Sequence, residues 1–281
     1  MKKTWLISGC SGGLGLGIAR AVLRRGDNAA VTSRNIERLQ ELTREYPGRV
    51  LPNYMDLNQH ASLEQTAENT LKTFGSIDVL VNNAGHGYRA AVEESEPEAV
   101  RELFETNFFS PMELIRLVLP SMRKRRKGMI INVTSIGAVR GALGNGCYSA
   151  AKGALELASE ALAREVRHLG IRVMLVEPGA FRTGFYGQSL GESSRKIEDY
   201  DSLAGQYRKE AMGKNHEQPG DPRKGGEILV ETALREEPPF RLLLGSDAVR
   251  AAKAVIEARL REIQDWEAVS IQSDIQADSD G

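Results

Sequence analysis

Tyr148 and Lys152 open a helical pattern, Cys147-Tyr148-Ser149-Ala150-Ala151-Lys152, and Ser135 stands ahead of them, directly after the apolar run Ile130-Ile131-Asn132-Val133-Thr134. Residues four apart share one helix face, so the lysine ammonium can lie beneath the phenol. A free tyrosine has a pKa of about 10, too high for efficient proton exchange at neutral pH. A neighbouring cation favours phenolate and lowers that value. Ser135 can then hold a substrate oxygen while Tyr148 donates or removes the proton. An isolated Tyr–Lys pair is more often a plain surface pair, so the weight falls on its surroundings.

A second set of residues suits phosphate binding. Thr4–Ser8 runs straight into Gly9-Cys10-Ser11-Gly12-Gly13-Leu14-Gly15-Leu16-Gly17 and then into an apolar helical pattern. A strand, a glycine-rich turn carrying Gly9, Ser11, Gly13, Leu14 and Gly15, and a helix form the context of a dinucleotide site. Glycines let the backbone approach a pyrophosphate, and the helix start offers N–H groups and a positive dipole end. NAD sites place an acid after the second strand. Here Val31-Thr32-Ser33-Arg34-Asn35 has none. Ser33 can hydrogen-bond a 2′-phosphate and Arg34 can pair with its charge, which favours NADP(H) over NAD(H).

These groups need a frame. Short β-rich runs at 4–8, 28–33, 50–55, 77–82, 129–134, 171–177 and 240–244 alternate with helical patterns near 13–26, 35–46, 59–74, 97–123, 147–169, 222–236 and 247–268. That alternation predicts an α/β fold: a single-domain, Rossmann-type, doubly wound parallel sheet of seven strands with helices on both faces. Ser95-Glu96-Pro97-Glu98 reads as a capping box with Ser95 at the cap. Residues 180–221 break the alternation and read as a substrate lid within a domain spanning 1–269; 270–281 read as a polar, disordered tail. The chain has 281 residues and a net charge of −1, without the clustered basic excess of a nucleic-acid or anionic-membrane binder. The run Arg123–Lys127 sits at a helix end, where cations favour the dipole. No apolar stretch reaches membrane-spanning length, and two lone cysteines suit a reducing compartment, so the expected location is cytoplasmic. The four histidines and two cysteines lack ligand spacing, and no metal is expected.

Together, Gly9, Gly13 and Gly15, Asn82-Asn83-Ala84-Gly85, Asn107, Ser135, Tyr148-x-x-x-Lys152 and Pro178-Gly179 resemble the short-chain dehydrogenase/reductase family in its compact single-domain branch. The resemblance implies that Tyr148 is the acid/base and that Ser135 orients the reacting oxygen. Lys152 would lower the phenol pKa and bind the nicotinamide ribose, and Asn107 would hold a water of a proton relay. Asp56-Leu57 would contact adenine, and Asn83-Ala84-Gly85 its ribose side. Pro178, Gly179 and Thr183 would flank the nicotinamide. The implied partners are a small carbonyl or alcohol and further copies of the chain, in a homodimer or homotetramer built through the helices near 97–123 and 147–169. The later segments 220–224 and 238–245 resemble hydroxysteroid- and retinol-dehydrogenase-like members, which points to a lipophilic substrate. Leu143, Asn145, Phe181, Phe185 and Tyr186 are the expected pocket lining beside Ser135 and Tyr148. Ser8 replaces the family's usual Thr, and His86 reads as a structural histidine. The competing functions are an NADP-sensing protein without catalysis and a sugar-nucleotide epimerase. Cys10 and Cys147 are expected to border the cleft and to react with alkylating reagents, or else to be inert fillers.

Overall fold

Seven apolar strands, β1 (Thr4–Ile7), β2 (Asn28–Ser33), β3 (Val50–Tyr54), β4 (Val79–Asn82), β6 (Gly128–Val133), β7 (Ile171–Pro178) and β9 (Arg241–Leu244), pair in parallel in the order β3-β2-β1-β4-β6-β7-β9. The structure, a computed structural model, describes residues 2–187, 189–207, 209 and 217–275, and only the backbone of Tyr186. Side chains alternate across each strand, so Trp5 and Ile7 enter one core and Leu6 the other. The first core is covered by α1 (Gly13–Arg24) and α8 (Pro222–Ala233), the second by α3 (His60–Phe74), α5 (Ser110–Arg125) and α7 (Gly146–Val166). Burial on both faces is why the strands read as continuous apolar runs. The chain winds outward from β1 through β2 to β3, then returns to β4 on β1's other side. That reversal leaves a crevice at the carboxyl ends of β1 and β4.

Three local readings are corrected. The expected helix 97–123 is two helices, α4 (Pro97–Phe104) and α5, joined by a π-helical turn, Glu105–Phe109. Pro111 lacks the N–H that would bond the Asn107 carbonyl in α register, and its ring crowds that carbonyl, so the turn widens. Ser95 does not cap α4: its hydroxyl donates to the Ala91 carbonyl at 3.1 Å, and Glu96 holds the N-cap position. Pro97 accounts for this, since it restricts the preceding residue to extended backbone, here φ −82° and ψ 127°. The stretch 35–46 is a 3-10 turn (Ile36–Leu39) followed by a short α2 (Gln40–Glu45).

Within 180–221, β8 (Leu190–Glu192) pairs in parallel with β5 (Gly87–Arg89), a two-stranded sheet the sequence pattern missed. Residues 188, 208, 210–216 and 276–281 of the expected lid and tail lie outside the described residues. Residues 271–273 form a 3-10 turn after α9 (Ser246–Ser270). No described helix is long and apolar enough to cross a membrane.

Helices α1 and α8 cross at glycines. A Cβ on Gly226 would collide with the backbone of Gly17, and one on Gly17 with the Pro222 carbonyl. Backbone cannot yield as a flexible side chain can. Gly226→Ala is therefore expected to cost about 3 kcal/mol in denaturant unfolding. Gly153→Ala in α7, whose nearest neighbour would be the Ala138 carbonyl at 3.9 Å, serves as the contrast. It should be neutral or stabilising by up to about 1 kcal/mol, and equal costs for the two would refute the crossing as the cause.

Candidate active site

The crevice holds a cleft of about 880 Å³. At one end α1 begins on Gly12 with no side-chain cap and no acid in its first turn, leaving N–H groups and a positive dipole end for an anion. The turn that presents them is tight. Gly9 has φ +73°, and a Cβ there would come within 2.9 Å of Ala84. Ser8 Oγ accepts from the N–H groups of Asn83 and Ala84, both at 2.9 Å, and Asn83 Nδ2 donates to the carbonyls of Ser8 (2.9 Å) and Gly9 (3.2 Å). The Ser8 hydroxyl thus ties the ends of β1 and β4. Ser11, Gly13, Leu14 and Gly15 line the cleft here, and Thr183 faces Gly13, where a Cβ would lie 3.1 Å from the threonine Cβ.

Ser33, Arg34, Asp56, Leu57, Ala84, Gly85, Pro178 and Gly179 also line the cleft. Ser33 Oγ accepts from the Asn35 N–H at 2.9 Å, and Arg34 is exposed. Arg38, one turn on, lines the same edge; the sequence reading missed this second cation, although its i+4 spacing from Arg34 was a signal.

At the other end two pairs of side chains converge on two glycines. A Cβ on Gly137 would stand 3.3 Å from Ser135 Oγ and 3.4 Å from Tyr148 Cε1, so the serine and the phenol ring flank one point. Ser135 caps α6 (Ile136–Val139), accepting from the Gly137 N–H at 3.0 Å. A Cβ on Gly85 would stand 2.6 Å from Asn107 Oδ1 and 3.2 Å from Lys152 Nζ. Asn107 is fully buried in the π turn, and its Nδ2 donates to the carbonyls of His86 (2.9 Å) and Leu103 (3.1 Å). Its Oδ1 is a buried acceptor with no partner among the described residues.

Lys152 is 4% exposed, and its Nζ donates to the Val133 carbonyl at 3.1 Å. Burial pushes the ammonium down to about 8, partly opposed by Glu156 one helical turn on. Glu156 is itself raised by burial and by Glu177, against the lowering effect of Thr134 and Arg241. Arg241 of β9 bridges Glu156 and Glu177, each at 2.8 Å, and Thr134 Oγ1 donates to Glu156 at 2.8 Å. The sequence reading missed this network, although Glu156 lies four residues after Lys152. Burial also lowers the pKa of cleft-lining His86.

The expected pocket lining is partly corrected. Asn145 and Phe185 line the cleft, and the Phe185 ring lies 5.8 Å from that of Tyr148. Leu143 does not: it is 56% exposed, and Ala142 takes that place. Phe181 touches the cleft but packs mainly in the core, against Gly220, Gly225 and Leu14. The side chain of Tyr186 lies outside the described residues. Arg89, which its place just beyond the Asn-Asn-Ala-Gly block sets at a possible pocket edge, is a buried cleft residue whose guanidinium stacks on Tyr207 at 5.3 Å. Neither cysteine lines the cleft. Cys10 is fully buried in the core, and burial pushes its thiol up to about 12, which removes it as a nucleophile. Cys147 is half-buried, with Sγ 3.4 Å from Ser95 Oγ.

Residues 3–192 match the family model described as short chain dehydrogenase. Oxidoreductase BOA17 of Botryotinia fuckeliana is 34% identical over 97% of this chain and 100% of its own length. A 3-ketodihydrosphingosine reductase of Bacteroides thetaiotaomicron is 38% identical over 85% of this chain and 87% of its own. A crystal structure of a short-chain dehydrogenase from Streptomyces avermitilis superposes with a TM-score of 0.91 at 38% identity, covering 97% of this chain and 98% of that one. With the glycine turn, the Ser135–Tyr148 pair and the buried lysine in one cleft, the chain belongs to the short-chain dehydrogenase family of oxidoreductases.

Proposed function

We propose that this oxidoreductase is an NADP(H)-dependent carbonyl reductase or alcohol dehydrogenase in which Tyr148 is the acid/base. The observation that carries the reading is the convergence of Ser135 and Tyr148 over Gly137, in the cleft that also holds the buried Lys152 ammonium. A carbonyl oxygen there can take hydrogen bonds from the serine hydroxyl and the phenol. The cationic lysine favours phenolate after the proton leaves. The orphaned Asn107 Oδ1 beside Lys152 Nζ suits a water that returns the proton toward solvent.

The residues present fit a dinucleotide. The uncapped α1 start suits a pyrophosphate, and Ser33, Arg34 and Arg38 suit a 2′-phosphate. When bound, the nicotinamide supplies or accepts the hydride at the substrate carbon. The partly aromatic wall around Phe185 suits a lipophilic ketone or alcohol, and the Bacteroides relative carries the name of a keto-group reductase.

NADPH oxidation over a panel of ketones, aldehydes, quinones and steroids tests the reaction class. Tyr148→Phe is expected to lose turnover by about 10²- to 10⁴-fold while NADPH still binds; a fully active variant would refute the assignment. Arg34→Ala is expected to raise the KM for NADPH about tenfold or more and leave that for NADH unchanged. An equal change for both coenzymes would remove Arg34 from 2′-phosphate recognition.

A further inference from the structure

Helix α9 leaves the body of the protein. Ala248 and Ala252 are buried, but no described side chain beyond Ala252 is. Among the described residues, the last hydrogen bond tying the helix to the body runs from Arg259 Nη2 to the Val139 carbonyl, 2.7 Å. The stretch from Lys253 to Ser270 would span about 27 Å at 1.5 Å per residue.

Its exposure is patterned. Ile256, Leu260, Ile263 and Trp266 are 57%, 53%, 65% and 61% exposed. Steps of four, three and three residues place them along one helix face. A row of large apolar side chains on an otherwise polar helix marks an interaction surface. The charges flanking Ile263 on that face are sorted by sign: Arg259 before it and Glu267 after it.

We infer that α9 pairs antiparallel with the α9 of a second copy of this chain, about a twofold axis at Ile263. A twofold contact brings the same patch of each copy together with residue roles exchanged. Ile263 then meets Ile263 of the partner subunit, and Leu260 meets the Trp266 position. Arg259 faces the Glu267 position. Parallel pairing would set Glu267 against its own copy and lose this complementarity. A lipid surface fits less well, because every charged residue after Arg261 is acidic and opposes anionic headgroups. The row stands on α9, not on α5 or α7.

The test is disulfide trapping in the full chain with sedimentation velocity beside it. Ile263→Cys is expected to give a covalent dimer under mild oxidation, whereas Ile256→Cys, two helical turns from the axis, stays uncrosslinked. Ile263→Glu should abolish one association step with unchanged far-UV circular dichroism. Glu267→Arg should weaken that step at least fivefold, and adding Arg259→Glu should restore it. The inference is overturned if Ile263→Cys fails to crosslink, if Ile263→Glu sediments as the wild type does, or if the wild type is monomeric throughout and binds phosphatidylcholine–phosphatidylserine vesicles through this helix instead.

Discussion

The carboxyl edge of the sheet is arranged around the buried ammonium of Lys152. Water solvates a cation far better than a protein interior does, so this placement opposes folding wherever the group stays charged. Its depression from 10.5 to about 8 corresponds to a cost on the order of 3 kcal/mol below pH 8. Between pH 8 and 10.5 the unfolded chain binds the extra proton, so stability rises with pH and the cost fades. The surroundings hold the charge without extinguishing it. Val133 offers one carbonyl, and Glu156 opposes the desolvation while Arg241 and Thr134 hold that carboxylate in place. A lysine so held is cationic at neutral pH yet near its titration point.

The elements around it follow from the need to keep polar atoms at that point. Gly85 leaves room for Asn107 Oδ1 and Lys152 Nζ where any side chain would displace them. Asn107 reaches the same place because the π turn before Pro111 shifts the helix by part of a turn and buries the amide. The cost of an irregular turn is offset by two hydrogen bonds from Asn107 Nδ2 and by the apolar packing of α5. At the opposite end the Ser8 hydroxyl and the Asn83 amide fix the glycine turn against β4. The glycine turn and the Asn107–Lys152 end of the cleft therefore share the backbone of one strand end, residues 82–85.

The sheet was legible because strands buried on both faces must be continuously apolar, and helices on a parallel sheet must be amphipathic. Ser135, Tyr148 and Lys152 were legible as a pattern of types at short spacing. What escaped depended on tertiary context or on competing local rules. The capping motif at Ser95 was present in letters, but Pro97 moved the helix start by one residue. The effect of Pro111 hid in a stretch whose apolar period stayed helical. Leu143 and Phe181 were assigned by composition, which does not say whether an apolar residue faces a cleft, solvent or the core. Cys10 lies in the glycine turn, yet its side chain enters the core beneath it. The tie from Glu156 to Arg241 spans 85 residues and has no local signature beyond a charge in an apolar run.

Nuclear magnetic resonance titration of the Lys152 side chain, assigned by loss of its signal in Lys152→Met, measures this charge directly. The expected midpoint is near 8, well below the ordinary lysine value of 10.5, with turnover changing over the same pH range. A midpoint at 10.5 would mean that the ammonium is solvated and stands apart from the phenol, and would overturn the central role given to its burial.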